Sequence, residues 1–182
     1  LKESQILPPG VLNVVHGLGN ESAGAALVAH PDVKAISFTG ETTTGSAIMR
    51  GAAGTLKKLS FELGGKGGSV IFADADIDRA ADTSALAAFR NQGQVCLAGS
   101  RIIAHKSVVD RVTERVVAYA QRLKMGDPLD EATTLGSLVS HDHRDKVASY
   151  AKIAADEATI VCGGNVPQEG ALGQGAYFEP TV

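Results

Sequence analysis

Cys96 is the residue whose surroundings most favour chemistry. It is bracketed by Gly93 and Gly99, and its neighbours Ala98 and Ser100 are small. Glycine permits unusual backbone angles and close approach of a substrate, which a cysteine used for packing does not need. The alternative is a buried, inert thiol, the usual state of an isolated cysteine. We favour a nucleophile at a loop-to-helix junction, where backbone N–H groups stabilise a thiolate and, after attack on a carbonyl, an oxyanion.

Glu62 lies upstream, directly before the pair Gly64–Gly65 and at the end of a predicted strand. Active sites of open α/β sheets gather at the carboxyl ends of strands. The apolar neighbours Phe61 and Leu63 predict partial burial of the carboxylate, which suits a general base. The alternative is a solvated residue at a sheet edge. Together, a thiol and a carboxylate supply a nucleophile that forms a thioester and a base that releases it with water.

The run Gly40–Gly45 is a candidate phosphate-binding loop. It is predicted to follow a strand and to open a helix, the context in which a phosphate rests on a helix N-terminus. It matches neither the GxGxxG nor the Walker pattern, and Glu41 is an unfavourable neighbour for a phosphate. A plain strand-to-helix turn is the alternative. The run Gly17–Gly19 is a weaker signal, since a lone GxG is most often a turn.

The first third of the chain alternates short β-branched runs with helical patterns. This alternation predicts parallel strands joined by right-handed crossovers, that is, half of a doubly wound α/β sheet. Three strands are few for such a sheet, so we expect further strands upstream in a longer protein. The predicted strands are 11–15, 35–39 and 57–62, and the predicted helices are 22–30 and 46–53.

A second region follows the glycines at 64–68, where we place a domain boundary between 1–63 and 64–182. Acidic residues at 74–76 favour the start of a long helix, and an amphipathic pattern predicts another helix at 106–124. The first residue, Leu1, is not a methionine, and the last residues read as the start of a strand, so we interpret the chain as a fragment. The remaining predictions are strands at 69–72, 101–105 and 159–162, helices at 77–90 and 141–156, and an exposed loop at 163–175.

Composition excludes several classes of protein. The chain has 182 residues, of which 44% are hydrophobic and 20% charged, as in soluble globular proteins. A net charge of −3 and 4% aromatic residues disfavour nucleic acid as a partner. No apolar run approaches the roughly 20 residues of a membrane helix. The two cysteines lack zinc-type spacing, Cys162 is interpreted as structural, and a reduced, cytoplasmic location is expected. His141–His143 lacks a third ligand, so we predict a polar helix start and no metal site.

Four segments together resemble the NAD(P)-dependent aldehyde dehydrogenase superfamily. They stand in the family's order, at nearly its spacing, and the resemblance covers essentially the whole chain. It implies an aldehyde dehydrogenase-like α/β fold. In that fold, 1–63 is the C-terminal part of the Rossmann-type NAD(P)-binding domain and 64–182 is the N-terminal part of the catalytic domain. The segments are Pro8–Val15, Phe38–Gly45, Phe61–Lys66 and Asn91–Cys96.

The same resemblance implies roles for individual residues. Cys96 matches the catalytic nucleophile and Glu62 the general base, and the implied cofactor is NAD or NADP. Glu41 stands where the family often has serine, so only a backbone contact to phosphate is expected there. The implied cofactor-binding positions are Gly40, Glu41 and Gly45 for the phosphates, Leu63 and Gly64 for the nicotinamide, and Gly17 near the adenine.

The implied reaction oxidises an aldehyde to a carboxylic acid through a Cys96 thiohemiacetal and thioester. Coenzyme-A-acylating relatives lack a base at the position of Glu62, so its presence favours hydrolysis. The runs Leu138–Val147 and Gly163–Pro167 resemble the hydroxymuconic-semialdehyde dehydrogenases, although betaine-aldehyde and aliphatic-aldehyde enzymes share most of the other runs. The implied partners are a small aldehyde and, for the full-length protein, further copies of itself in a dimer or tetramer.

Two other functions stay open. The chain lacks the family's oxyanion-hole asparagine, its cofactor-selecting residues and its ribose-binding glutamate, so a catalytically inactive fragment or a non-enzymatic homologue is one alternative. A thiol hydrolase without nicotinamide is the other. It is disfavoured because no histidine shows a pairing motif close to the cysteine.

Overall fold

The computed structural model describes residues 6–182, which fall into two compact units, one ending at Gly64 and one spanning Gly65–Val182. Each unit contains a two-stranded parallel sheet and its own helices. The elements of the first unit are α1 (Ala23–Ala29), β1 (Ala35–Gly40), α2 (Thr42–Ala52) and β2 (Lys58–Leu63). Those of the second are β3 (Gly68–Ile71), α3 (Ile77–Phe89), β4 (Arg101–Ala104), α4 (Val109–Arg122), α5 (His141–Glu157) and α6 (Gly170–Gln174).

In the first unit, β1 and β2 pair in parallel, from Ala35 opposite Lys58 to Gly40 opposite Leu63. Successive side chains of a strand point to opposite faces of the sheet. The apolar side chains on one face are half-buried, and the rings of Phe38 and Phe61 meet edge to face with centroids 6.4 Å apart. The polar side chains lie on the other, exposed face. The parallel pairing predicted for these two strands is confirmed.

Two predictions for the first unit are wrong. Residues 11–15 do not form a strand, because among the described residues no neighbouring strand pairs with them, and all five are exposed. Secondly, the loop predicted at 40–45 is reduced to Glu41, because α2 begins at Thr42. The three threonines at 42–44 continue into a helix whose Ile48 and Ala52 are buried, and this packing outweighs their low intrinsic helix propensity.

The core of the second unit lies between α3, α4 and β3. Its buried apolar residues recur at helical spacing, so one stripe of each helix faces the other. Asp76 accepts a hydrogen bond from the Arg79 N–H at 3.2 Å and thereby caps α3. The buried cluster consists of Ile71, Ile77, Ala81, Ala85, Val112 and Val116.

The last third of the chain is less regular than predicted. The helix expected from His141 is confirmed as α5, and its first turn is capped by the Ser140 hydroxyl, which accepts from the His143 N–H at 3.1 Å. Residues 159–162 do not form a strand. They pair only at Val161 and Cys162, which exchange hydrogen bonds with Val182. The loop predicted at 163–175 contains the short helix α6.

No helix formed by residues 6–182 combines the length and apolar composition needed to cross a bilayer.

Candidate active site

Glu62 lies at the carboxyl end of β2, next to Leu63 and opposite Thr39 of β1. Its side chain is exposed, whereas Phe61 and Leu63 are half-buried on the opposite face. The partial burial predicted from these neighbours is therefore wrong: strand alternation turns the carboxylate away from them. Thr39, Ser60 and Glu62 share the polar face, where the carboxylate is open to water.

The candidate phosphate-binding residues gather at the same edge of the sheet. Gly40 ends β1, Glu41 is the N-cap of α2, and the Gly45 N–H donates to the Glu41 carbonyl at 3.0 Å. The N–H groups of 42–44 precede the first intrahelical hydrogen bond, and the first turn holds no acidic residue. This 11-residue helix therefore presents unpaired N–H groups and threonine hydroxyls at its N-terminus, beside the carboxyl end of β1.

Gly45 is buried beneath Leu63. A Cβ built at Gly45 would lie 3.0 Å from Cδ2 of Leu63, so the absent side chain lets α2 approach β2 closely. The Leu63 side chain thus packs on α2 within its own unit, and Gly64 is exposed after it. Gly17 lies elsewhere in the unit, where a Cβ would be 2.8 Å from both Ala23 and Ser22 at the start of α1.

Cys96 occupies a turn between α3 and β4. The Ala98 N–H donates to the Val95 carbonyl at 2.9 Å, so Cys96 and Leu97 are the two central residues of a hydrogen-bonded turn. The predicted loop-to-helix junction is wrong, since the chain leaves this turn towards the strand β4 and no helix begins there. The thiol is exposed and Leu97 is 87% exposed, while Ala98 is buried and anchors the turn.

The backbone amides of this turn are available to a ligand. Among residues 6–182, neither the Cys96 N–H nor the Leu97 N–H donates to a backbone carbonyl, because the turn's own hydrogen bond uses the Ala98 N–H. Exposed, unpaired N–H groups beside a nucleophile are what an oxyanion requires. The amides that the sequence led us to expect are present, but a turn supplies them instead of a helix.

Two contacts hold the segment after Cys96 in place. A Cβ built at Gly99 would clash with the Ser69 hydroxyl of β3, so glycine allows this close approach without a shift of that hydroxyl. Arg101 opens β4 and donates from Nε to the Lys66 carbonyl at 3.0 Å and from its N–H to the Gly67 carbonyl at 3.4 Å. The turn 95–98, called the nucleophile turn after the predicted role of Cys96, and the residues Lys66 and Gly67 are therefore tied to the same end of β3–β4.

Sequence reasoning missed three local features around Cys96: the contacts made by Ser69 and by Arg101, and the left-handed backbone of Gln92. Ser69 and Arg101 lie at the predicted starts of strands, where nothing local distinguishes a fixing contact from an ordinary one. Gln92 has a left-handed backbone (φ 55°), and the sequence gives no signal that a residue other than glycine adopts this conformation. His141–His143 remains a helix start, and residues 6–182 contain no group of three or more metal-ligating side chains.

Comparison with known proteins identifies the family. The model of the aldehyde dehydrogenase family matches residues 1–182. The chain belongs to this family. Among characterised members it is 49% identical to the 2-hydroxymuconic semialdehyde dehydrogenase of Pseudomonas sp. strain CF600, over 97% of this chain and 37% of that protein. It is 45% identical to the chloroplastic betaine aldehyde dehydrogenase of Amaranthus hypochondriacus, over 97% of this chain and 35% of that one. The chain thus spans little more than a third of these relatives.

Solved structures share the fold. HpcC from Thermus thermophilus superposes with a TM-score of 0.93 at 41% identity, over 99% of this chain and 36% of that one. A double mutant of betaine aldehyde dehydrogenase from Staphylococcus aureus, solved in complex with NAD+, superposes with a TM-score of 0.91 at 37% identity. The match covers 98% of this chain and 36% of that one. The α/β aldehyde dehydrogenase fold predicted from the motifs is confirmed.

Proposed function

We propose that the protein carrying this chain oxidises an aldehyde to a carboxylic acid with NAD+ or NADP+. Cys96 is the nucleophile and Glu62 is the general base. The observation that supports this most directly is the Cys96 turn, which presents an exposed thiol beside two unpaired amides. The family match over the full chain supports the reaction class.

The proposed reaction has three steps: addition of the thiolate, loss of a hydride and hydrolysis of the thioester. The Cys96 thiolate forms a C–S bond to the aldehyde carbon, and the resulting oxyanion is held by the Cys96 N–H. Loss of a hydride from that carbon re-forms the C=O bond and leaves a thioester, with NAD(P)+ accepting the two electrons. Glu62 then removes a proton from water as it attacks the thioester. The C–S bond breaks, releasing the carboxylic acid and the thiolate.

The first unit fits the phosphates of a dinucleotide. The unpaired N–H groups at 42–44 lie at the start of an 11-residue helix, directly after Gly40 and Glu41. We therefore assign Gly40, Glu41 and Gly45 to the phosphate site: the N–H groups at 42–44 make the contacts, and Gly45, whose own N–H donates to the Glu41 carbonyl, lets α2 pack close to β2. Leu63 and Gly64 are assigned to the nicotinamide side, and Gly17 to the adenine side. In this proposal, 1–63 is part of the cofactor domain and 64–182 is part of the catalytic domain.

For the substrate, we propose a semialdehyde of the hydroxymuconic type. The support is the 49% identity to a 2-hydroxymuconic semialdehyde dehydrogenase, with betaine aldehyde as the competing class at 45%. Comparing kcat/KM for the two aldehydes decides between them, and a preference for betaine aldehyde would refute this assignment. A cytoplasmic location and assembly of the complete protein into a dimer or tetramer belong to the same proposal.

The two catalytic roles are separable by pre-steady-state kinetics on the complete protein. Cys96→Ala should form no NADH, because no thiohemiacetal forms. Glu62→Gln should retain a burst of one NADH per active site and then turn over about 10²–10⁴-fold more slowly, because thioester hydrolysis lacks its base. Cys162→Ala is the matched control and should behave as the wild type. Normal steady turnover of Glu62→Gln would refute the role of Glu62, and NADH formation by Cys96→Ala would refute the mechanism.

A further inference from the structure

The backbone just before the nucleophile turn is left-handed at three successive residues. Asn91 has φ 50°, Gln92 has φ 55° and Gly93 has φ 71°. Only the third is a glycine. Asparagine adopts this conformation more readily than other non-glycine residues, whereas for Gln92 it is unfavourable by about 1–2 kcal/mol, so surrounding contacts must hold Gln92. Asn91 is exposed, whereas Gln92 is half-buried, which directs attention to the Gln92 side chain.

The Gln92 carboxamide links two segments of the second unit. In the orientation that satisfies both of its ends, its nitrogen donates to the Asn91 carbonyl at 3.0 Å and to Asn91 Oδ1 at 3.2 Å. Its oxygen accepts from the Gly136 N–H at 2.9 Å. One side chain thus fixes its own left-handed turn and fastens it to a segment more than forty positions along the chain.

The segment around Gly136 is itself well held. Leu135 is buried, and its N–H donates to the Lys124 carbonyl at 3.0 Å, while its carbonyl accepts from the Gly126 N–H at 3.3 Å. On the other side, the Leu138 N–H donates to the Ala176 carbonyl at 2.8 Å. Gly136 therefore offers Gln92 a fixed N–H group.

We propose that Gln92 is a positioning residue for the Cys96 nucleophile, acting through a hydrogen-bonded bridge from Asn91 to Gly136. This inference rests on the proposed function of Cys96. Because the Gln94 N–H donates to the Asn91 carbonyl at 2.9 Å, the bridge sets the direction in which the chain enters the Val95–Ala98 turn. The orientation of the thiol relative to its neighbouring amides follows from that direction.

The test measures the rate at which iodoacetamide alkylates Cys96 in the complete protein, followed by peptide mass spectrometry. Gln92→Met keeps the size of the side chain but removes the bridge, and should slow alkylation by about tenfold, the effect of losing one or two hydrogen bonds. Cys162 in the same molecules is an internal reference whose rate should not change. Gln121→Met makes the same replacement on the exposed surface of α4 and is the matched control.

Gln92→Glu supplies a readout that general destabilisation would not produce. A protonated carboxyl can donate to Asn91 and accept from Gly136 like the carboxamide, whereas an ionised one keeps only the acceptor and faces the Asn91 oxygens. The alkylation rate of Cys96 in Gln92→Glu, divided by the wild-type rate at the same pH, should therefore rise as the pH falls. The same ratio for Gln92→Met should not change with pH. Because the change with pH is followed in the Gln92→Glu variant itself, this result holds even where Gln92→Met folds poorly.

Either of two results overturns the inference: a wild-type alkylation rate in Gln92→Met, or a pH-independent rate ratio in Gln92→Glu. The rate of the NADH burst is measured on the same variants. It should fall together with the alkylation rate of Cys96, while KM for the cofactor stays unchanged. If the wild type forms no NADH while the alkylation rates behave as expected, the proposed dehydrogenase function fails but the positioning of Cys96 by Gln92 stands.

Discussion

Cys96 and Leu97 occupy the centre of a turn whose hydrogen bond is closed by Ala98, and this is what leaves their own amides unpaired. A helix N-terminus would offer similar donors together with a macrodipole, whereas a turn offers only the local N–H groups. The reactivity of this thiol therefore depends on how accurately the turn is held. Gly99 holds the turn on its C-terminal side, and in our proposal Gln92 holds it on its N-terminal side.

Gly99→Ala should loosen the nucleophile turn, because the new methyl group would meet the Ser69 hydroxyl. The hydroxyl can rotate away, so the expected loss in the free energy of unfolding is about 1 kcal/mol. Urea denaturation of the complete protein measures this loss, and the NADH burst measures its effect on the turn.

The double variant Gly99→Ala/Ser69→Ala should recover most of the loss. With the hydroxyl removed, the nearest remaining Ser69 atom, its Cβ, lies 3.7 Å from the added methyl group, an ordinary contact distance. If the double variant is no better than Gly99→Ala alone, the Ser69 hydroxyl is not the cause of the clash.

At the scale of elements, the parallel register of β1 and β2 places Glu62 at the sheet edge where α2 begins, with its side chain on the face opposite Leu63 and α2. Gly40 is opposite Leu63 in this register, so the last residues of both strands meet at one edge. The carboxylate and the unpaired N–H groups of α2 thus belong to the same edge, as expected for the carboxyl ends of parallel strands. A one-residue slip of β2 would turn Glu62 to the apolar face.

Lys57 is an element-scale anchor for β2. Its buried ammonium donates to the His30 carbonyl at 2.6 Å and to the Val33 carbonyl at 2.7 Å, joining the end of α1 to the start of β2. Lys57→Met should lower the free energy of unfolding by about 1–3 kcal/mol, because two carbonyl oxygens lose their donor. Thermal denaturation measures the change. Lys58→Met alters the exposed neighbouring lysine and should have almost no effect, so equal losses in both variants would contradict the anchor.

The ion pairs between α3 and α4 predict a pH dependence of stability. A hydrogen bond from Arg115 lowers the pKa of Asp82 below its ordinary value of 3.8. A carboxyl with a lowered folded-state pKa stabilises the fold fully above the unfolded-state pKa, and this contribution is lost as the pH falls through the folded-state pKa. The stability gap between wild type and Asp82→Asn should therefore be constant near neutrality and close as the pH falls below 3.8.

Chemical denaturation at a series of pH values measures that gap. Asp74→Asn is a suitable control, because Asp74 is exposed and takes no part in the ion pairs formed by Arg111 and Arg115. A gap that widens under acidic conditions would contradict the assignment of the Asp82 shift to Arg115.

At the scale of the whole molecule, the two units differ in the size of their cores. In the described part of the first unit, only Ile48 and Ala52 are buried apolar residues, whereas the second unit contains the cluster between α3, α4 and β3. Local stability follows buried apolar contact. In the 182-residue chain, backbone amides of β1 and β2 should therefore exchange with solvent roughly tenfold or more faster than those of α3 and α4.

Hydrogen exchange monitored by mass spectrometry measures this difference on the same polypeptide. Addition of NAD+ provides a second comparison and should slow exchange at the start of α2 if the proposed phosphate contacts form. Slower exchange in β1 and β2 than in α3 and α4 would contradict the ranking of the two cores.

The amino-acid sequence by itself determined the family and most of the regular elements. Cys96, Glu62 and the glycines around them identified the family, which the match over residues 1–182 confirmed. β1, β2, α3, α4 and α5 were predictable because hydrophobic periodicity and helix capping are local properties, read within a few residues. The assignment of catalytic roles to Cys96 and Glu62 remains a proposal that the kinetic experiments test.

Only the tertiary structure decided how those residues are presented. Residues 11–15 have strand-like composition but no strand to pair with among the described residues, and pairing is not a local property. The exposure of Glu62 follows from which face of the sheet its apolar neighbours cover. The contacts that hold the nucleophile turn, Gly99 with Ser69 and Gln92 with Gly136, join residues far apart in sequence. Such contacts depend on the packed position of both segments, and a single sequence carries no local signal of that position.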